Sequence, residues 1–358
     1  MRFEDVLEIK NGRNQKAVEN PEGKYPIYGS GGVMGYANDY ICDAQTVIIG
    51  RKGSINNPIF VEEPFWNVDT AFGLMANRDV LLPRYLFYFC KKFDFERLNK
   101  TVTIPSLTKS DLLKIEIALP DLEKQQEVVD QLVKIEQIIT LRKQELSALD
   151  NLIKARFVEL FGDMTLNPNR WEVVSLGKVC DVRDGTHDSP KYFTEGYPLV
   201  TSKNVTSGKI DFTDCSLICE DDYKKINERS KVDFGDILMP MIGTVGKPVI
   251  VNVNAEFAIK NVALIKFYED SKVTNVFVKA LLESDYFDRA VISKIRGGTQ
   301  KFIALGDIRK LDICLPPLHT QEQFAAFVVQ VDKSKVAVQK ALNEAQLLFD
   351  SLMQKYFG

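Results

Sequence analysis

Asp111-Leu112-Leu113-Lys114-Ile115-Glu116-Ile117-Ala118-Leu119-Pro120 recurs as Asp307-Ile308-Arg309-Lys310-Leu311-Asp312-Ile313-Cys314-Leu315-Pro316. Each copy leads to a leucine two residues on and a glutamine five residues on, Leu122 and Gln125 in the first, Leu318 and Gln321 in the second. The two prolines stand 196 residues apart, and the register holds without a gap to Phe161-Gly162 and Phe357-Gly358. Similarity kept in register over that length is an internal repeat, and it sets the architecture as two copies of one unit.

Within each copy the alternation Leu113, Ile115, Ile117, Leu119, matched by Leu311, Ile313, Leu315, predicts a half-buried strand that the proline ends. A seven-residue apolar period follows. One row is Leu132, Ile139, Leu146, Ile153 and Leu160, and the other Val128, Ile135 and Leu149. The second copy has Val328, Leu342, Phe349 and Tyr356 beside Phe324, Val331, Val338, Ala345 and Leu352. Each stretch predicts a helix of about 38 residues, roughly 57 Å long at ~1.5 Å per residue. Neither stripe can be hidden by its own helix. The two are expected to face each other as an antiparallel coiled coil with pseudo-twofold symmetry. Arg142, Arg156 and Lys335 interrupt the seam, with their charges expected to reach solvent along it.

The segments ahead of the helices are related more weakly. Val6-Leu7-Glu8-Ile9-Lys10-Asn11-Gly12 resembles Val179-Cys180-Asp181-Val182-Arg183-Asp184-Gly185, and Tyr25-Pro26-Ile27 resembles Tyr197-Pro198-Leu199. Strands are predicted at Thr46 to Gly50, Asp236 to Met239, Ala71 to Met75 and Val262 to Ile265, and helical segments at Pro83 to Leu98 and Val276 to Ile295. The order is unit, helix, unit, helix, with boundaries at residues 1–105, 106–163, 164–301 and 302–358. That is an α+β chain of two globular α/β domains alternating with two long helices.

At 358 residues, 45% apolar and 27% charged, the chain has the composition of an ordinary folded protein with room for two domains. No run approaches the ~20 apolar residues of a bilayer span. The six cysteines (Cys42, Cys90, Cys180, Cys215, Cys219, Cys314) are scattered and the start lacks a signal pattern, so reduced thiols and a cytoplasmic location are expected. Cys215 and Cys219 have neither His187 nor His319 at metal-ligand spacing, so no metal is expected. The net charge is −3, yet residues 1–105 balance 13 basic against 13 acidic side chains and residues 164–301 balance 19 against 19. The acidic excess sits in residues 121–163, 9 against 6, leaving both globular units free to present a basic face.

The chain resembles the specificity subunits of type I restriction-modification systems over essentially its whole length. The resemblance is carried by Tyr25-Pro26-Ile27-Tyr28-Gly29-Ser30-Gly31-Gly32, Ile49-Gly50-Arg51-Lys52-Gly53-Ser54, Asn67-Val68-Asp69-Thr70-Ala71 and the two strand-proline-helix stretches ending in Gln125 and Gln321. It implies two target recognition domains, each reading one half of a split site on double-stranded DNA, with the helices setting the unread gap. It further implies two docked methyltransferase subunits, restriction subunits in the full complex, and no catalysis by this chain. S-adenosylmethionine, ATP and magnesium would then belong to the partner subunits. A coiled-coil scaffold that binds only protein is the alternative.

Base edges are read by hydrogen bonds, so candidate contacts are polar residues beside glycines. In the first unit these are Asn11, Arg13, Asn14, Tyr28, Ser30, Arg51, Lys52, Ser54, Lys100, Thr101 and Thr103. In the second they are Arg183, Thr186, His187, Ser202, Lys203, Asn204, Thr244, Lys247, Arg296, Thr299 and Gln300. Fragments that imitate catalytic motifs do not complete them. Gly29 to Gly35 lacks the strand and helix of a cofactor loop, Asn57-Pro58-Ile59-Phe60 lacks a second proline, and Pro21 and Gly23 make Glu22 to Lys24 a turn.

Overall fold

The chain opens with one helical turn, α1 (Phe3–Val6), and then builds seven strands: β1 (Leu7–Asn11), β2 (Tyr25–Gly29), β3 (Gly32–Ala37), β4 (Thr46–Gly50), β5 (Ile59–Val61), β6 (Trp66–Asn67) and β7 (Ala71–Ala76). Helices α2 (Pro83–Lys92), α3 (Lys109–Leu112) and the 40-residue α4 (Leu122–Phe161) follow. A similar series comes next: β8 (Val173–Ser175), α5 (Leu176–Val179), β9 (Cys180–Asp184), β10 (Tyr197–Val200), β11 (Ser216–Ile218), α6 (Glu220–Ser230), β12 (Ile237–Pro240), β13 (Val249–Ile250), β14 (Ala258–Ile259) and β15 (Val262–Phe267). It ends with α7 (Asn275–Leu282), α8 (Asp285–Ala290), α9 (Leu305–Arg309), β16 (Asp312–Cys314) and a second 40-residue helix, α10 (Leu318–Phe357). This computed structural model describes residues 1–99, 105–205, 208–241, 247–294 and 302–358. Among them no helix is long and apolar enough to cross a membrane.

The chain divides into two units, residues 1–144 with 338–358, and residues 145–337. Both contain the same sheets. In the first unit the strand order is β1-β7-β4-β5 in one sheet and β3-β2-β6 in the other. In the second it is β9-β15-β12-β13 and β11-β10-β14, strand for strand the same arrangement. The parallel pairs correspond too, β2 with β6 (Ile27 beside Trp66) and β10 with β14 (Leu199 beside Ala258).

β4 and β12 read as unbroken apolar runs because both faces are covered. In the first unit Val47 and Ile49 enter the core under α2, while Ile48 enters a second core with Cys42 and Phe65. In the second, Ile237 and Met239 face α7 while Leu238 joins Val200 and Val262. Side chains still alternate with period two, and burial on both sides erases the polar half of the pattern.

Each unit completes its core with parts of both long helices. In the first, Val128, Leu132, Ile135 and Ile139 of α4 share one cluster with Phe349 and Met353 of α10. The Tyr88 hydroxyl donates to Glu136 Oε2 at 2.6 Å, and Lys91 Nζ pairs with Oε1 of the same glutamate at 2.8 Å. In the second, Phe157, Phe161, Phe277 and Phe324 bring their rings together at centroid distances of 4.9 to 5.8 Å. A buried phenylalanine is worth ~2 to 3 kcal/mol by area, so this quartet is a principal anchor of the unit.

Leu132, Ile135, Ile139, Val331, Val338 and Phe349 are buried, and Leu146, Leu149, Ile153, Val328, Leu342 and Leu352 are half-buried. Lys335 and Arg156 do not run free to solvent. Lys335 Nζ pairs with Asp150 Oδ1 at 2.7 Å, and the Arg156 guanidinium lies over the Phe327 ring and pairs with Glu159. The predicted strand over residues 113–119 is largely absent. It lies against residues 1–4, with Arg2 bridged to Glu116, Phe3 N donating to Ile115 O at 2.9 Å and Ile117 N to Met1 O at 2.8 Å, so the pairing is one bridge preceded by α3 and not a full strand, although Ile115 and Ile117 keep their alternate burial. In the second copy three residues of strand remain, β16 against β8. The helical stretch from Val276 breaks at Ser284, whose hydroxyl accepts from Phe287 N and caps α8.

Candidate nucleic-acid interface

Backbone crossings at the C-terminal ends of β1 and β9 gather the loops of each unit. In the first unit Gly12 N donates to Ala71 O at 3.2 Å and Arg13 N to Asn67 O at 2.9 Å. In the second Gly185 N donates to Val262 O at 3.1 Å and Thr186 N to Ile259 O at 3.0 Å. The approach is so close that a β-carbon at Gly12 would lie 1.7 Å from Val68 O, and one at Gly185 2.2 Å from Ile259 O. Only glycine fits either place.

Around the first crossing, Val68 N donates to Tyr28 O, Arg51 N to Thr70 O, Leu107 N to Arg51 O and Gly53 N to Pro105 O, while Lys52 bridges Ser106. The ends of β1, β2 and β4, the turn between β6 and β7, and the segment at Pro105 therefore meet. This edge carries Arg13, Asn14, Arg51, Lys52 and Ser54, all exposed, with Ser30 half-buried beside Gly50. Asn11 is exposed at the end of β1. Tyr28 is partly withdrawn, its ring packed edge-on against Phe65, and burial pushes its hydroxyl pKa up.

The second crossing is built the same way. Lys260 N donates to Val200 O at 2.9 Å, matching Val68 and Tyr28, and Ser202 stands where Ser30 does. What differs is the polar chemistry. His187 Nε2 meets Asp184 Oδ2 at 2.8 Å, and its Nδ1 meets Asn261 Oδ1 at 2.7 Å. Arg229, from α6, pairs with the other oxygen of Asp184, and Lys260 Nζ donates to Ser189 Oγ at 2.6 Å. Thr186 is half-buried in this group, and Lys203 and Lys247 are exposed.

Two of the residues read from sequence have structural duties. Arg183 is held by Asp181 and by the carbonyl of Arg229. Asn204 is buried, its Oδ1 accepting from Thr201 N and its Nδ2 donating to Asp211 O, so it shapes the turn rather than presenting an amide. Lys100, Thr101, Thr103, Thr244, Arg296, Thr299 and Gln300 lie outside the described residues. Sequence reading missed Arg229, which sits in a helix 45 residues from its partner Asp184, and Asn261. The latter had a signal, an asparagine between two apolar runs, which is a common turn former tolerant of positive φ.

A family model for the type I restriction modification DNA specificity domain matches residues 1–151 and 168–346. The type I restriction enzyme MjaVIII specificity subunit of Methanocaldococcus jannaschii is 26% identical, over 84% of this chain and 74% of that protein. A putative type I restriction enzyme specificity subunit of Haemophilus influenzae is 23% identical, over 99% of this chain and 92% of its own length. Among solved structures, the S subunit of a type I restriction-modification system from M. genitalium superposes with a TM-score of 0.63 at 17% identity, covering 100% of this chain and 95% of that one.

Proposed function

The chain belongs to the type I restriction modification DNA specificity family, as a specificity subunit without catalytic activity of its own, and from that premise we propose how it reads DNA. Each unit reads one half of a split, asymmetric target on double-stranded DNA through the loops gathered at its glycine crossing. The two long helices pair as an antiparallel, pseudo-twofold coiled coil that fixes the unread gap between the halves. Two methyltransferase subunits dock on the chain and restriction subunits join in the full complex, in the cytoplasm. S-adenosylmethionine, ATP and magnesium are bound by those partners and not by this chain. The recognition domains are residues 1–105 and 164–301, and the helical regions are residues 106–163 and 302–358.

One observation carries this reading: the same sheets and the same crossing occur twice, with different polar side chains at matching places. Asn14 occupies the position of His187, and the turn holding Asp69 occupies that of Asn261. One scaffold with two chemistries suits two unlike half-targets. Contacts made by the exposed cations at each edge would position the duplex by its phosphates.

The test is selection of bound sequences from random duplexes by the purified complex with its methyltransferase subunits. Two short constant blocks separated by a gap of fixed length are expected. A single uninterrupted block would overturn the division of labour, and an absence of enrichment would favour a protein-binding scaffold.

A further inference from the structure

Asn261 holds a left-handed backbone, φ 54°, at the turn between β14 and β15. Its main chain is fully engaged inward, N donating to Thr186 O at 3.2 Å and O accepting from Ser202 Oγ at 3.2 Å. Its side-chain Oδ1 is taken by His187 Nδ1, while Nδ2 has no hydrogen-bond partner among the described residues. The amide is thus anchored at one end and unoccupied at the other, amid residues of the second crossing. Asparagine offers a donor and an acceptor in one plane, and each end matches a different set of base-edge groups.

We propose that the Asn261 amide reads a base edge in the half-target of the second unit, and that His187 is its positioning residue, fixing which end of the amide faces outward. The inference rests on the DNA-reading function proposed above. With the imidazole doubly protonated, Nδ1–H donates to Asn261 Oδ1 and Nε2–H to Asp184, leaving the Nδ2 donors outward, toward guanine O6 or N7 or thymine O4. With it neutral, Nε2–H stays on Asp184 and Nδ1 accepts from Nδ2. The amide turns over and presents Oδ1, toward the amino group of adenine or cytosine. The groups facing the ring are Asp184 from β9, Arg229 from α6 and Asn261 from the turn, with Asp188 next in the chain. Bonds to Asn261 and Asp184 raise the pKa of His187 against the opposing effects of partial burial and Arg229, so the first arrangement persists to higher pH than it would around an ordinary imidazole.

The experiment repeats the selection from random duplexes with the whole complex at pH 6 and pH 8.5, for wild type, Asn261→Gly and His187→Gln. Glycine accepts the same φ, so Asn261→Gly removes the amide without straining the turn. It is expected to lose about tenfold or more of the preference at one position of one block, leaving the other block and the affinity for random duplex unchanged. Wild type is expected to shift its preference at that position between the two pH values, and His187→Gln to show none of that shift. Unaltered preferences in Asn261→Gly would overturn the reading role, and a pH-insensitive wild type would overturn the positioning role. No enrichment by wild type would instead sink the DNA-reading function itself, and this proposal with it.

Discussion

Gln125 and Gln321, both fully buried, make the same three hydrogen bonds at the starts of the two long helices. Gln125 Nε2 donates to Val80 O and Pro120 O, and its Oε1 accepts from Leu82 N. Gln321 Nε2 donates to Lys272 O and Pro316 O, and its Oε1 accepts from Thr274 N. Each glutamine ties the residues ahead of a packed helix, α2 or α7, to the proline that precedes the rod.

Replacing either glutamine by leucine keeps the volume and strands three backbone groups away from water. Each buried unpaired group costs ~1 to 3 kcal/mol, so Gln125→Leu and Gln321→Leu should each lose about 3 kcal/mol or more in urea denaturation. A loss below about 1 kcal/mol would mean that water reaches these groups.

The crossing glycines should tolerate nothing larger. Gly185→Ala forces Ile259 O to move from a β-carbon that would sit 2.2 Å away, at a cost of about 1 to 3 kcal/mol by overpacking. Selection with this variant should blur one block of the target and spare the other, and Gly12→Ala should do the reverse. Blurring of both blocks by one substitution would show that the sites are not independent.

Lys335 stands where the repeat places Ile139 in the first copy. Its pair with Asp150 is about a third exposed on the lysine side and more on the other, and such pairs contribute ~1 kcal/mol or less. Lys335→Ile should therefore leave stability within about 1 kcal/mol of wild type or raise it, as seen by thermal unfolding. A drop beyond about 2 kcal/mol would identify the pair as a register lock.

Burial pushes the Cys42 and Cys180 thiols up to about 12 and Cys90 higher still. The thiolate is the reactive form, and a pKa above the working pH depletes it. At pH 8 these three should resist iodoacetamide in the folded protein, while half-exposed Cys215 and Cys219 are alkylated, as peptide mass spectrometry would report. Early modification of Cys180 would reveal opening of β9.

The long helices were legible because a seven-residue period persists through forty residues, and β4 because Val47 to Ile49 are β-branched and flanked by turns. Boundaries elsewhere followed tertiary partners that no local pattern announces. Leu113 to Leu119 alternates as a strand should, yet its pairing with residues 1–4 amounts to one bridge, whereas Trp66 and Asn67 form a strand of two residues because β2 lies alongside. At the candidate interface, proximity to glycine singled out Arg13, Arg51, Thr186 and His187. They also drew in Asn204, whose amide serves its own turn, and could not reach Arg229, brought to Asp184 by the packing of α6.

The first unit is made of two pieces of chain, and Phe349 and Met353 belong to the same cluster as Phe3 and Leu132. The second unit is one uninterrupted stretch. On a ribosome that emits ~5 to 20 residues per second, the later-encoded unit holds all its core residues before the earlier one does. The amino-terminal half must wait, its apolar surface unsealed, until the last turns of α10 emerge. The order of synthesis and the order of completion are therefore opposite.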